Sequence, residues 1–129
     1  MGLNTHQWAF FCDVCELFNY IRRNTPNNWN VRISWAYRPQ YAQCILFNMR
    51  EICTKAPAVT NTLSSQHTKY LAIDLDFFVD GVYLEKPTPG QRDVLWDIGE
   101  YWEALSPEHK NRYGGFWEKK DWGHFEKNE

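Results

Sequence analysis

Two short clusters of residues with metal-ligand side chains stand about fifty positions apart in this chain. The first cluster contains His67 and Asp74, and the second contains Asp121 and His124. An open zinc site takes three protein ligands of this kind and leaves a fourth position for water. We therefore expect His67, Asp74 and His124 to bind Zn²⁺, and Asp121 to act as the base that takes a proton from the water.

The segments around the two clusters predict how the ligands meet. Asp74 lies in the apolar, β-prone run 71–79, and His67 lies in the loop that leads into this run. His124 lies in a second short segment with strand character. Because alternate residues of a strand share a face, His124 and Glu126 should lie on the same side. Pairing of the two strands would then gather the three ligands.

The rest of the chain predicts helices around a small antiparallel sheet, which is an α+β fold. Helical periodicity and strand alternation are read from the spacing of apolar residues. Turn residues such as Asp80-Gly81 mark the connections. The pattern predicts helices at 5–23, 40–53 and 91–105, strands at 31–37 and 71–79, and a return strand at 82–84.

The first predicted helix also carries two of the four cysteines. Cys12 and Cys15 have the spacing of half a zinc or redox motif, but no second close pair follows in the sequence. We therefore predict both to be buried free thiols. The buried face of this helix is predicted to carry Trp8, Phe11, Cys15 and Phe18.

Size and charge exclude several classes of protein. A chain of 129 residues is predicted to form one domain, residues 1–129, with a core of its own. The net charge of -2 gives no electrostatic signature for nucleic acid or an anionic membrane. No stretch approaches the roughly 20 apolar residues of a membrane span, and the start lacks a signal-peptide pattern. We expect cytoplasmic synthesis, a monomer, no nucleic-acid partner and no stable membrane anchor.

The two clusters resemble the signatures of a known enzyme family. Ser65-x-His67-x-x-Tyr70-x-Ala72-x-Asp74 resembles the Ser-x-His-x-x-Gly-x-Ala-x-Asp signature of the zinc peptidases of family M15. The end of the chain, Asp121-x-x-His124-Phe-Glu, is similar to the second signature of the same family. Tyr37-Arg38, followed by Gln43, resembles a third segment, and the run 71–84 is similar to phage-encoded members. Tyr70 stands where the family usually has Gly.

The resemblance implies a fold of the Hedgehog and DD-peptidase type and an enzymatic function. The family comprises D-alanyl-D-alanine carboxypeptidases and L-alanyl-D-glutamate peptidases, many of them phage endolysins. It implies a Zn²⁺ cofactor, hydrolysis of peptidoglycan stem peptides, and Asp121 as the catalytic base. Arg38 is similar to the substrate-anchoring arginine of the family, and Ser65 and Tyr70 are predicted to bind substrate.

Other functions of the same fold stay open at this point. The chain is alternatively predicted to be a cytosolic D-alanyl-D-alanine dipeptidase. A non-enzymatic zinc-binding protein, such as a virion component, is a third possibility. The presence of Asp121 favours an enzyme, because a binding-only protein needs no base beside His124. A phage lysis enzyme would be made in the host cytoplasm and would act on the cell wall after release.

Overall fold

The computed structural model describes residues 2–37, 65–106, 108 and 110–128. Two α-helices lie in these parts of the chain, with five strands and two short 3-10 helices. None of the described helices is long and apolar enough to cross a membrane. The elements are α1 (Leu3–Asn24), β1 (Trp29–Trp35), a 3-10 helix (Gln66–Lys69), β2 (Ala72–Val79), β3 (Val82–Tyr83), α2 (Pro89–Ala104), β4 (Asn111–Tyr113), a 3-10 helix (Gly114–Phe116) and β5 (His124–Lys127).

The strands form one antiparallel sheet in the order β1-β2-β5-β4, and β3 pairs with β2. Strand β2 lies inside the sheet and alternates between two environments. Its residues Ile73, Leu75 and Phe77 are buried in the core with α1 and α2. Asp74 and Asp76 are only partly buried, on the opposite face. The predicted α+β class is confirmed, with the described helices packed on one face of the sheet.

Helix α2 shows why the sequence forms a helix at this point. The Thr88 side chain accepts from the Gln91 amide, and the Gln91 side chain accepts from the Thr88 amide, which is a capping box. Pro89 occupies the first turn, where its fixed φ is favourable. Leu95 and Trp102 lie on one face of the helix, two turns apart, and both are fully buried. The helix therefore begins two residues before the predicted start.

The predicted buried face of α1 is wrong for Trp8, Phe11 and Cys15, which are exposed, while Phe18 does pack half-buried against the core. Trp8 and Phe11 stack on each other, with ring centroids 5.6 Å apart, and stay 67% and 59% exposed. The helix carries apolar residues on more than one face, so periodicity alone cannot select the face that packs. The face of α1 that packs against the core carries Phe10, whose ring lies edge-to-face with Trp102 of α2 at a centroid distance of 5.8 Å. The residues of α1 that are buried are Phe10, Leu17 and Ile21.

The two cysteines of α1 are also misplaced by the prediction. Cys12 and Cys15 are both free thiols, as expected, but both are exposed rather than buried. They lie on the part of the helix surface that turns away from Leu17 and the core. The error has the same cause as the error at Phe11. The helix is rotated about its axis relative to the prediction, and this rotation moves Phe11, Cys12 and Cys15 together.

A buried ion pair joins α1 to the last strand. Lys127 Nζ lies 3.0 Å from Asp13 Oδ2, and the Lys127 side chain is only 7% exposed. The amide of Asn111 on β4 donates to the same carboxylate oxygen at 2.9 Å. A buried ammonium needs such a partner because the loss of hydration is otherwise uncompensated. The contact fixes β4 and β5 against the helix layer.

Close backbone packing occurs where the chain enters β5. The Leu75 amide donates to the Gly123 carbonyl at 2.8 Å. A Cβ atom at Gly123 would overlap the carbonyl oxygen of Leu75. Only glycine lets the two backbones approach in this way, and β5 begins at the next residue, His124.

Three earlier predictions lie outside the described residues. They are the helix at 40–53, the substrate-anchoring role of Arg38, and the segment that contains Gln43.

We predict that Gly123→Ala destabilises the protein by about 1–3 kcal/mol, because the added methyl group overpacks against Leu75. Gly90→Ala is the matched control, since no atom lies within 4 Å of a Cβ at that helical position. Urea unfolding of the two variants checks this expectation. If both variants unfold at the midpoint of the wild type, the turn before β5 relaxes without cost and the packing argument is wrong.

Candidate metal and active site

The structure brings His67, Asp74 and His124 together. One ligand-type atom from each residue can be chosen so that all three lie within 4.8 Å of one another. His67 comes from a 3-10 helix, Asp74 from β2 and His124 from β5. Asp74 and His124 are direct partners in the antiparallel ladder between the two strands. The predicted clusters therefore meet through strand pairing.

The imidazole of His67 is oriented by its surroundings. Its Nδ1 lies 3.0 Å from the carbonyl oxygen of Ala36, so Nδ1–H donates and Nε2 keeps its lone pair. Ser65 caps the 3-10 helix, because its Oγ accepts from the His67 amide at 3.2 Å. This contact gives the buried Ser65 a local structural role.

The Nε2 atom of His67 tests whether the cluster fits a cation. It is buried and faces Asp74 Oδ2 at 3.0 Å. With the ring proton on Nδ1, two acceptors meet at this contact, and no hydrogen bond from the described residues satisfies Nε2. A buried polar atom without a partner costs about 1–3 kcal/mol. A metal ion between the two imidazoles and the carboxylate would satisfy it. Two histidine nitrogens and one carboxylate oxygen are ligands that Zn²⁺ accepts.

His124 is held at both ring nitrogens. Its Nδ1 lies 2.8 Å from Asp74 Oδ1, and its Nε2 lies 2.7 Å from Glu126 Oε1. Burial lowers the pKa of His124, but the hydrogen bonds to Asp74 and Glu126 outweigh it and raise the pKa to about 10. Burial raises the pKa of Asp74, while the two histidines lower it below its usual range. Glu126 can orient the ring while Nδ1 faces the cluster.

Asp121 stands beside the cluster, in the turn that leads into β5. Its amide donates to the Gly114 carbonyl at 3.0 Å, and its own carbonyl accepts from the His124 amide at 3.3 Å. The side chain is exposed on a cleft of about 320 Å³ that Asp74 also lines. Partial burial of the carboxyl group and the charge of Asp74 raise its pKa. This is the direction that suits a general base.

Tyr70 forms an exposed wall next to the cluster. Its backbone is in the left-handed region, with φ 60° and ψ 34°. Glycine adopts this conformation without strain, which explains physically why glycine is usual at this position of the signature. The ring stacks on Tyr37, with centroids 4.2 Å apart and planes 13° apart. The Tyr37 contact was not predicted, and no pattern in the sequence signals it.

An apolar groove of about 540 Å³ continues from the tyrosine pair toward α1. Ala36, whose carbonyl binds His67, lies in its wall, and so does Ala72, which shares a strand face with Asp74. The groove therefore reaches the backbone that orients His67, while His67, Asp74 and His124 themselves do not line it.

Trp117 and Arg112 complete the surroundings of His124; Trp117 was one of the residues that could line the cleft, and the role of Arg112 was not predicted. The Trp117 ring lies 5.1 Å from the imidazole of His124. The guanidinium carbon of Arg112 lies 5.7 Å from the centre of the Trp117 ring. The signal in the sequence was weak, since Trp117 was equally compatible with core packing.

Comparison with solved structures finds four chains of similar fold. The fold is similar to that of the L-Ala D-Glu endopeptidase ChiX of Serratia marcescens, with a TM-score of 0.60 and 19% sequence identity. The match covers 90% of this chain and 78% of that chain. No family model matches the sequence, and no curated protein matches it. At this identity the likeness supports the fold of the chain, and it agrees with the α+β architecture described above.

Proposed function

We propose that the protein is a zinc-dependent peptidase that hydrolyses a stem-peptide bond of peptidoglycan. The observation that carries the proposal is the unsatisfied, buried Nε2 of His67 beside Asp74 and His124. The likeness to an L-Ala D-Glu endopeptidase supports the L-Ala-D-Glu bond as the first candidate. The D-Ala-D-Ala bond, in a wall peptide or in the free dipeptide, is the second.

The residues of the cluster have separate tasks in this proposal. His67, Asp74 and His124 would hold Zn²⁺, which acts as a Lewis acid and lowers the pKa of water from 15.7 towards ~7. Asp121 takes a proton from the attacking water and passes it to the leaving amine. Glu126 holds the His124 ring through Nε2. The exposed position of Asp121 on the cleft favours this enzyme over a protein that only binds zinc.

The substrate side of the proposal rests on fewer contacts. Tyr70, stacked on Tyr37, would form a wall of the peptide site. Arg38 as a carboxylate anchor and Ser65 as a substrate contact stay predictions from the family resemblance. The single domain, predicted from the length of the chain, also stays a prediction, as do the monomer and a role in phage-mediated cell lysis.

The direct test of the function is digestion of purified muropeptides by the zinc-loaded protein. Mass spectrometry before and after incubation identifies the bond from the masses of the products. A new amine on D-Glu indicates L-Ala-D-Glu cleavage, and loss of one D-Ala indicates carboxypeptidase action. Muropeptides that stay intact at every zinc loading would contradict the proposal.

We predict one zinc ion per chain, bound by the cluster. His124→Ala should weaken zinc binding by at least about 100-fold, since changes outside the ligand shell already cost 10–100-fold. His6→Ala on α1 is the matched control and should bind zinc like the wild type. Competition with a chromophoric chelator measures both affinities. Equal affinity in the two variants would place the metal elsewhere.

We predict that Asp121→Asn keeps the zinc affinity of the wild type but lowers kcat by about 10²–10⁴-fold. The amide is similar in size to the carboxylate but cannot take a proton from water. Glu118→Gln, an exposed change in the same segment, is the control and should leave kcat unchanged. Near-normal turnover in Asp121→Asn would assign the proton transfer to another carboxylate, with Glu126 the first candidate.

We predict that Tyr70→Gly raises KM several-fold with little change in stability. Release of the left-handed strain, about 1–3 kcal/mol, is offset by the lost ring stacking of about 0.5–1.5 kcal/mol and the extra chain entropy of glycine. Tyr70→Phe keeps the stack with Tyr37 and should keep the KM of the wild type. Steady-state kinetics and urea unfolding check the two parts. An unchanged KM in Tyr70→Gly would show that substrate does not contact this wall.

A further inference from the structure

Arg112 lies on the face of the sheet that carries the metal cluster. On β4 it pairs with Glu126 of β5, and Glu126 pairs with Ala72 of β2. Ala72 and Asp74 share a strand face, as do Glu126 and His124. The Arg112 residue is exposed, so its guanidinium reaches solvent on the active side of the sheet.

The position of this guanidinium is fixed by two contacts. It lies over the Trp117 ring, which in turn packs against the imidazole of His124. In one orientation of its amide, Asn128 Oδ1 accepts from Gln66 Nε2 at 3.2 Å. In the opposite orientation, its oxygen instead accepts from Arg112 Nη1 at 3.0 Å. In the same orientation the Asn128 nitrogen donates to Glu126 Oε2 at 3.0 Å. A charged group held in this way loses little freedom when it binds a ligand.

Arg112 nevertheless has no carboxylate partner among the described residues, since none of the ion pairs found there includes it. Its cross-strand neighbour Glu126 would be the obvious partner. That carboxylate is turned to His124 Nε2 at 2.7 Å instead. A guanidinium has five donors in a planar fork that matches a carboxylate, and Asn128 uses only one of them.

The charges near the cluster explain why such a cation is useful. Of the carboxylates that line the cleft at the site, Asp76 is paired with Arg32 and Asp74 belongs to the proposed metal cluster, so Asp121 and Glu85 are the ones that repel an anionic peptide. A fixed guanidinium on the β4 side can offset this repulsion for one carboxylate of the substrate. Strands β1 and β4 stand at opposite ends of the strand order β1-β2-β5-β4, so Tyr37, just after β1, and Arg112 flank the metal cluster.

We propose that Arg112 binds a carboxylate of the peptide substrate and thereby selects free-acid peptides over amidated ones. The inference rests on the proposed peptidase function and adds a specificity residue to it. The competing role for Arg112 is support of His124 through Asn128 and Glu126. The two roles differ in their effect on zinc affinity and in their dependence on the charge of the substrate.

The test compares Arg112→Gln and Arg112→Lys with the wild type on N-acetyl-L-Ala-D-Glu and on its diamide. For the free acid, kcat/KM should fall by about 10- to 100-fold in Arg112→Gln, the range of a charge-assisted hydrogen bond. Arg112→Lys should recover only part of this loss, since an ammonium lacks the fork. The diamide should change by about threefold or less, and the zinc affinity should not change. Arg23→Gln, in the last turn of α1, is the control.

Two results would overturn the proposal. One is a loss of the same factor on both peptides, and the other is a weakened zinc affinity; either would make Arg112 a support of His124. If the wild type cleaves neither this pair nor the corresponding D-Ala-D-Ala pair, the peptidase function itself fails. Calorimetric binding of the free acid and the diamide to zinc-loaded protein then decides the role of Arg112. A preference for the acid that Arg112→Gln abolishes supports it, and equal binding of the two refutes it.

Discussion

The pairing of β2 with β5 is the constraint on which the site depends. It places Asp74 opposite His124, and each residue must also face away from the helices. A slip of one residue would turn Asp74 into the core and bring Ile73 to the polar face. The burial of Ile73, Leu75 and Phe125 therefore sets the register that the metal ligands need. The close contact of Gly123 with Leu75 acts at the entrance of the same pair of strands.

Within that register, one carboxylate serves two imidazoles. Asp74 lies 3.0 Å from His67 Nε2 and 2.8 Å from His124 Nδ1. Without a metal, the pairing with carboxylates keeps a proton on His124, so binding of a metal at Nδ1 must release it. His67 differs because the Ala36 carbonyl already fixes its tautomer. In a metal-bound form of the cluster, His67 would be a preformed ligand, and His124 would exchange a proton for the ion.

The residue types and spacings predicted that His67, Asp74 and His124 come together, and they predicted the strands that carry Asp74 and His124. These features depend on the local sequence. A candidate metal ligand is recognised by its type of side chain, and a strand is recognised by the alternation of apolar and polar residues. The packed face of α1 failed because Phe10 and Phe11 are equally apolar, and only the position of α2 selects between them. The Tyr37–Tyr70 stack and the placement of Arg112 over Trp117 depend on loops and on strand order. The periodicity of apolar residues in the sequence does not predict such contacts.

Strand β5 links the two sides of the sheet. Its even residues, His124 and Glu126, serve the metal cluster, while Phe125 lies in the core and Lys127 reaches Asp13 of α1. Helix α1 and the proposed zinc site therefore contact the same strand, the four residues of β5, from opposite faces of the sheet. Asp13 lies on the far side of the sheet from the cleft. A disturbance there would reach the proposed metal site as a shift in the position of His124, with every ligand side chain still present. The first helix therefore supports the geometry of the proposed metal site through β5, although it supplies none of the residues of the cluster.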